Sequence, residues 1–107
     1  MSDQSWKQWE REVATDLGGE RTGPRGFAVP DVVGLDDVGV ECKYTRNGWP
    51  NKSKWSKWMT QAKHNSEVNG YSWWGIFLCL AGGKGTKQEK YVLIPYDYFV
   101  ELYMKGN

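Results

Sequence analysis

The chain has 107 residues, of which 39% are hydrophobic, 25% charged and 15% aromatic. This composition is globular and excludes a disordered or fibrous chain, and the length suits a single domain over residues 1–107. No apolar run approaches the length of a membrane-spanning helix. The first nine residues hold no apolar signal core. We therefore expect a cytoplasmic protein with two reduced cysteines.

The net charge of +1 conceals a segregation of charge along the chain. Residues 1–41 carry nine acidic and four basic residues, whereas residues 42–66 carry six basic residues and no acidic one. Residues 67–107 carry four of each. A basic stretch of this purity indicates a polyanionic partner such as nucleic acid. The alternative is a solvated helix face whose counter-charges come from elsewhere in the fold.

The first half of the chain predicts one helix followed by a hairpin. Helical periodicity covers residues 5–17, with Ser5 as the N-cap. The apolar residues of this helix are predicted to face the core: Trp6, Trp9, Val13, Ala14 and Leu17. Two short strands are predicted over residues 31–35 and 38–44, and an acidic turn joins them.

The second half predicts a helix, two strands and a last helix. The helix covers residues 53–65, and its face is formed by Trp55, Trp58, Met59 and Ala62. Residues 72–80 are a continuous apolar run, typical of a strand that is buried on both sides. After a glycine-rich turn at 81–87, a strand is predicted over 91–94 and a helix over 96–104. The order αββαββα predicts an α/β (α+β) fold, with a four-stranded mixed sheet flanked by helices.

Two carboxylates are predicted to meet at one end of the hairpin. Side chains alternate along the second strand, so Cys42 faces the core while Glu41 and Lys43 share the opposite side. Asp31 opens the neighbouring strand and can lie across from Glu41. Paired carboxylates are ligands that Mg²⁺ or Mn²⁺ prefers. The alternative is that Asp31 is a turn acid and that Glu41 and Lys43 form a surface ion pair.

Such a set of residues suits phosphodiester hydrolysis. A metal ion polarises the phosphate and lowers the pKa of a bound water molecule, and a lysine stabilises the charge that develops on the phosphoryl oxygens. Glu10 is a candidate third acid, because it lies beside the apolar face of the first helix. An acid at the edge of the core needs a partner, and a metal site would supply one.

The spacing of these residues resembles the PD-(D/E)xK nuclease motif: Pro30-Asp31, then Glu41-Cys42-Lys43. The upstream residues 9–14 and 17–21 resemble the first helix of the small Holliday junction resolvases of archaeal and phage type. The resemblance covers about residues 6–65, more than half of the chain. It implies a restriction-endonuclease-like core. The tryptophan-rich stretch that begins at Trp49 has no counterpart in the motif.

The resemblance also implies a role for each matching residue. The implied ligands of Mg²⁺, or of Mn²⁺ as a substitute, are Asp31, Glu41 and the backbone carbonyl of Cys42, with Glu10 acting directly or through water. Lys43 would be the catalytic lysine. Gln61 on the second helix would be an orienting group.

Basic and aromatic residues flank this predicted site. Their predicted role is non-specific contact with DNA phosphates: Arg21, Thr22, Arg25, Arg46, Lys52, Lys54, Lys57 and Lys63. Trp49, in a polar loop, is predicted to stack on unpaired bases or to contact a second copy of the chain. Trp55 and Trp58 are interpreted as packing the second helix onto the sheet, with base stacking as the alternative.

Together with these features, the resemblance implies a metal-dependent DNA endonuclease that resolves four-way Holliday junctions by paired cuts, as DNA recombination and repair require. Because a four-way junction has two-fold pseudo-symmetry and one chain supplies one site, we expect a homodimer. The alternatives are a nicking or restriction-like enzyme on duplex DNA, a non-catalytic nucleic-acid-binding module on the same fold, and a protein-interaction subunit whose tryptophans form the interface.

Overall fold

Three helices and five strands make up the described parts of the chain. The computed structural model describes residues 2–23, 28–82 and 87–106, with side chains from residue 5 onwards. In chain order the elements are α1 (Ser2–Leu17), β1 (Glu20–Arg21), β2 (Val32–Val33), β3 (Val38–Thr45), α2 (Lys52–Val68), β4 (Trp73–Leu80), β5 (Glu89–Leu93) and α3 (Tyr96–Lys105). Arg25, predicted to contact DNA, lies outside the described residues, as do residues 83–86 of the predicted glycine-rich turn.

The strands form one mixed sheet in the order β1-β2-β3-β4-β5. β3 and β4 are parallel, and every other neighbouring pair is antiparallel. A parallel pair needs a crossover connection, which α2 provides. The α+β class and the three helices are therefore confirmed.

The predicted four-stranded sheet is wrong by one strand, because β1 adds a fifth. Glu20 and Arg21 pair with Val33 and Val32. Gly19 permits this approach, since a Cβ atom there would lie 2.6 Å from the backbone oxygen of Val33. Two residues are too few to show the alternating pattern by which longer strands are predicted.

The two faces of β3 are covered by different helices. Val38, Val40 and Cys42 belong to the main hydrophobic core, together with residues of α1 and Tyr98 of α3. Glu41 faces α2, where it is hydrogen-bonded to Asn65. A strand covered on both faces is rigid, which suits it to hold functional side chains.

The ends and faces of two helices differ from the prediction. α1 begins at Ser2, so Ser5 lies inside the helix and is not its N-cap. Trp6 and Leu17 are each 41% exposed, which leaves a narrower buried face of Trp9, Glu10, Val13 and Ala14. α2 begins at Lys52 behind the N-cap Asn51, whose Oδ1 accepts a hydrogen bond from the Lys54 amide. Of the predicted face of α2, only Ala62 is buried.

Among the described residues, no helix has the length and apolar character needed to cross a bilayer.

Gly39 lets two segments approach β3 at the same point. A Cβ atom on Gly39 would lie 2.3 Å from Ser66 Oγ and 2.9 Å from Pro30 Cγ. Both distances are below van der Waals contact, so only glycine fits without displacement of a neighbour. Pro30 immediately precedes Asp31 and Ser66 immediately follows Asn65. The glycine therefore fixes how closely the two segments that flank Glu41 can lie.

We expect Gly39→Ala to lower the free energy of unfolding by about 1–3 kcal/mol, because the added methyl group overpacks this junction. Urea denaturation followed by tryptophan fluorescence measures the change. Gly106→Ala is the matched control, since a Cβ atom there would come no closer than 3.5 Å to its neighbours. Equal losses in the two variants would contradict the close packing at Gly39.

Candidate active site

Asp31 immediately precedes β2 and lies against β3. Its amide donates to the Val40 carbonyl at 2.8 Å, and its Oδ2 accepts a hydrogen bond from the Cys42 amide at 2.8 Å. A side chain thus replaces the backbone partner that a longer β2 would have supplied. In a strand, the N–H and C=O of one residue point towards the same neighbour. The Cys42 carbonyl therefore points to the same edge of β3 as the Asp31 carboxylate.

Hydrogen bonds from Thr22 hold the backbone segment that carries Asp31. Its amide donates to the Asp31 carbonyl at 3.0 Å, and its hydroxyl donates to the Pro30 carbonyl at 2.9 Å. Thr22 was predicted to contact DNA, and the structure places it against the protein backbone beside the candidate site. It is a positioning residue for Asp31 in this arrangement.

Glu41 lies under α2 and is only 2% exposed. Its Oε2 accepts a hydrogen bond from Asn65 Nδ2 at 3.0 Å. Asn65 is itself buried and was not predicted as a site residue. Its spacing of three residues from the buried Ala62 was the available signal, because both fall on one helix face.

Glu10 is buried on α1 and paired with Arg21. The Arg21 Nε donates to Glu10 Oε1 at 2.7 Å. From the sequence, a metal ion was the expected partner of Glu10, and DNA was the expected partner of Arg21. Since Arg21 lies on β1, the strand that was not predicted, this pairing was not visible in the sequence. The Arg21 guanidinium is largely enclosed, and its Nη2 is buried without a hydrogen-bond partner.

Lys43 and Gln61 are brought together from β3 and α2. The Lys43 Nζ donates to Gln61 Oε1 at 2.8 Å, and the same ammonium lies 5.6 Å from the centroid of the Trp58 ring. These contacts hold a long flexible side chain in one orientation. Gln61 and Asn65 are four residues apart on α2, so one face of this helix contacts both Lys43 and Glu41.

The three acids act on one another electrostatically. Burial and then the charge of Asp31 raise the pKa of Glu41 to about 7. The same two causes raise the pKa of Glu10. Burial raises the pKa of Asp31, and the hydrogen bond from Cys42 and the charge of Lys43 oppose that rise. Burial is thus the largest cause at each acid, and three carboxylates lie near only two cationic groups, Lys43 and Arg21.

A divalent cation with oxygen ligands fits this cluster in charge and in donor chemistry. The residues available to hold it are Asp31, Glu41 and the Cys42 carbonyl, with Glu10 beside them. Across residues 2–23, 28–82 and 87–106, no three acidic, histidine or cysteine side chains converge as a ready cage. The carboxylates are instead turned towards Arg21, the Cys42 amide and Asn65.

The remaining predicted residues lie around this cluster rather than in it. The predicted DNA contacts that are exposed without joining the cluster are Arg46, Trp49, Lys52, Lys54, Lys57 and Lys63. Arg46 donates to Ser5 Oγ at 3.4 Å. Lys52 and Lys57 border an open groove at the start of α2. The structure therefore brings together Glu10, Asp31, Glu41, Lys43 and Gln61, and spreads the other predicted residues over the adjoining surface.

Comparison with family models, with curated proteins and with solved structures finds no match to this chain. The resemblance to the PD-(D/E)xK motif therefore depends on the residues and on their arrangement in the site.

The raised pKa of Glu41 predicts how the stability of the metal-free protein depends on pH. Because the folded pKa lies above the ordinary value of 4.5, the fold binds the proton more tightly than the unfolded chain does. Stability is therefore lost as the pH rises from about 4.5 to about 7. Glu41→Gln removes the charge, and its amide oxygen can still accept the hydrogen bond from Asn65.

We expect Glu41→Gln to be more stable than the wild type by about 1–3 kcal/mol at pH ~8 in EDTA, and nearly equal to it at pH ~4.5. Urea denaturation at the two pH values measures this. The exposed Glu67 on α2 gives the control Glu67→Gln, for which no such pH-dependent difference is expected. A Glu41→Gln variant that is less stable at both pH values would contradict the electrostatic assignment.

Proposed function

We propose that the protein is a divalent-metal-dependent DNA endonuclease of the PD-(D/E)xK type, and that it resolves four-way junctions. One observation carries this proposal. Glu10 and Glu41 are buried and Asp31 is half-buried near Lys43, and the charges of the three carboxylates repel one another. Buried carboxylates destabilise a small fold, and acids with strongly perturbed pKa values are typical of functional sites.

The protein's own residues would divide the work of hydrolysis. A bound cation supplies polarisation of the phosphate and a water molecule of lowered pKa. Lys43, oriented by Gln61, places an ammonium beside the carboxylates to stabilise charge on the phosphoryl oxygens. Asn65 fixes the orientation of Glu41, and Arg21 restrains Glu10.

The charge of the surrounding surface favours DNA as the substrate. The exposed lysines of α2 lie on the helix that contacts Lys43, and no acid occurs between residues 42 and 66. Contacts of this kind bind phosphates without reading sequence, as selection by DNA shape requires. The acidic turn lies elsewhere, because Asp37 receives hydrogen bonds from the amides of Ser72 and Trp73 at the start of β4. The acidic turn is therefore at the opposite end of β3 from Thr45.

Cleavage of a labelled synthetic four-way junction tests the proposal, with a matched linear duplex as second substrate and with Mg²⁺ or EDTA. We expect symmetric cuts in the junction, in Mg²⁺ only. Equal cutting of the duplex would indicate the nicking or restriction-like alternative. Binding by the wild type without any cleavage would indicate the non-catalytic module.

Asp31→Asn is expected to bind the junction like the wild type and to cut it at least about a hundredfold more slowly. The asparagine oxygen can still accept the Cys42 amide proton, so the fold is retained while a charged metal ligand is lost. Asp16→Asn, at an exposed acid of α1, is the control and should cut normally. If Asp31→Asn cuts at the wild-type rate, the site assignment is wrong.

Paired cuts require two sites, and the surface of α3 offers a contact for a second copy. The helix presents several apolar side chains to solvent, among them Phe99 at 55% and Met104 at 65% exposure. Val92 on β5 is also exposed. Apolar surface of this extent on one helix is typical of a protein interface. We place the dimer contact there.

The double variant Phe99→Glu and Met104→Glu is expected to sediment as a monomer and to leave single nicks where the wild type makes paired cuts. Analytical ultracentrifugation and the junction assay measure the two effects. Val68→Glu places one such charge on an exposed apolar residue of α2 and should leave both the sedimentation and the paired cuts unchanged. A wild type that is monomeric on the junction would contradict the dimer.

A further inference from the structure

Four aromatic rings form a continuous path along the surface next to the candidate site. The path consists of Tyr91, Trp49, Trp55 and Trp58. Successive ring centroids are separated by 4.8 Å, 6.4 Å and 5.5 Å in that order. The path ends at Lys43, whose ammonium lies 5.6 Å from the Trp58 ring centroid. It therefore connects the catalytic lysine of the proposed site with the surface formed by β5 and the loop before α2.

The rings of this aromatic path are not a buried core. Trp49 is 56% exposed and Tyr91 is 40% exposed, while Trp55 and Trp58 are half-buried. The main hydrophobic core includes none of the four. The buried residues of α2 are Ala62, Asn65 and Ser66, all in its second half. The tryptophans in the first half of α2 thus contact one another and solvent. Packing of the helix onto the sheet does not require this arrangement.

The charges beside the α2 end of the aromatic path are positive. Lys54 lies 5.9 Å from the Trp58 ring centroid, and Lys52 and Lys57 are exposed on the same helix. One acid approaches the far end, where the Tyr91 hydroxyl donates to Glu89 Oε1 at 2.7 Å. Aromatic faces edged by ammonium groups are the combination that binds single-stranded nucleic acid, because bases stack while phosphates contact lysines.

We propose that the aromatic path binds single-stranded DNA, namely the unpaired nucleotides at a branch point. Their bases would stack on Trp49, Trp55 and Trp58, and the strand would lead towards Lys43. This inference deepens the proposed function and rests on it for the position of the strand relative to the cleavage site. A second protein chain is the other possible occupant. The lysines and the lack of acids between residues 42 and 66 favour a polyanion instead.

Fluorescence anisotropy with a labelled oligothymidine of about twelve nucleotides tests the binding without any cleavage step. The protein carries Asp31→Asn and the buffer contains EDTA. An abasic oligomer of the same length separates stacking from charge, because it keeps the phosphates and lacks the bases. We expect the abasic oligomer to bind at least about tenfold more weakly than oligothymidine.

Substitutions at Trp49 locate the stacking. In the same Asp31→Asn protein, we expect Trp49→Ala to weaken oligothymidine binding about tenfold and Trp49→Phe to retain most of it. Trp49→Leu keeps apolar area without an aromatic face and should resemble Trp49→Ala. Tyr96→Ala, at an exposed aromatic residue of α3, is the control and should bind normally. Urea denaturation verifies that each variant is folded.

The outcomes separate this inference from the proposed function. If stacking at Trp49 is observed but the protein with native Asp31 cuts no DNA, the inference stands and the nuclease proposal fails. If that protein cuts junctions while Trp49→Ala binds oligothymidine normally, the inference fails and the nuclease proposal stands. Equal binding of the abasic oligomer overturns the inference. A change in sedimentation with Trp49→Ala, without oligothymidine binding, would also overturn it and identify a protein contact.

Discussion

The candidate site depends on the hydrogen bond between the Asp31 carboxylate and the Cys42 amide. β3 is covered on both faces, so each of its backbone donors needs a partner. β2 is only two residues long and cannot supply one at Cys42. The Asp31 side chain supplies it, and the same contact places a carboxylate next to Glu41. The Asp31 carboxylate thus completes the hydrogen bonding of the strand and is also a candidate metal ligand, and Thr22 is hydrogen-bonded to the backbone that carries it.

The acidic residues of the candidate site lower the stability of the fold. Glu10 and Glu41 are buried in a domain with one modest core, and their charges repel that of Asp31. The protein limits this cost with two contacts, the ion pair from Arg21 and the hydrogen bond from Asn65. A core built for stability alone would place apolar residues at both positions. Retention of acids at such cost is typical of functional sites, where stability and activity compete.

Much of this arrangement could be predicted from the sequence, and the failures have physical causes. β3 and β4 were predictable because alternation or a continuous apolar run extends over eight residues in each. β1 was not predictable, because two residues are too few to show a periodic pattern. The pairing of Arg21 with Glu10 was therefore not predicted either. Asn65 was not predicted as a site residue, because the sequence does not distinguish a buried amide side chain from a solvated one until its acceptor is known. The exposure of Trp6 and Leu17 depends on which neighbours cover the helix, and this is a property of tertiary packing rather than of local pattern.

The hydrogen bond to Asp31 also distinguishes the Cys42 amide proton from the other backbone amide protons of β3. Most amide protons of a sheet are hydrogen-bonded to the backbone carbonyls of the neighbouring strand, whereas the Cys42 amide proton is hydrogen-bonded to a titratable carboxylate. Its proton chemical shift and its rate of exchange with deuterium will follow the charge on Asp31, in a protein of a size that suits solution NMR. The resonance of this one amide proton can therefore reveal whether Asp31 is protonated or the site is occupied. The measurement needs no chemical label on the Asp31 side chain and no substrate.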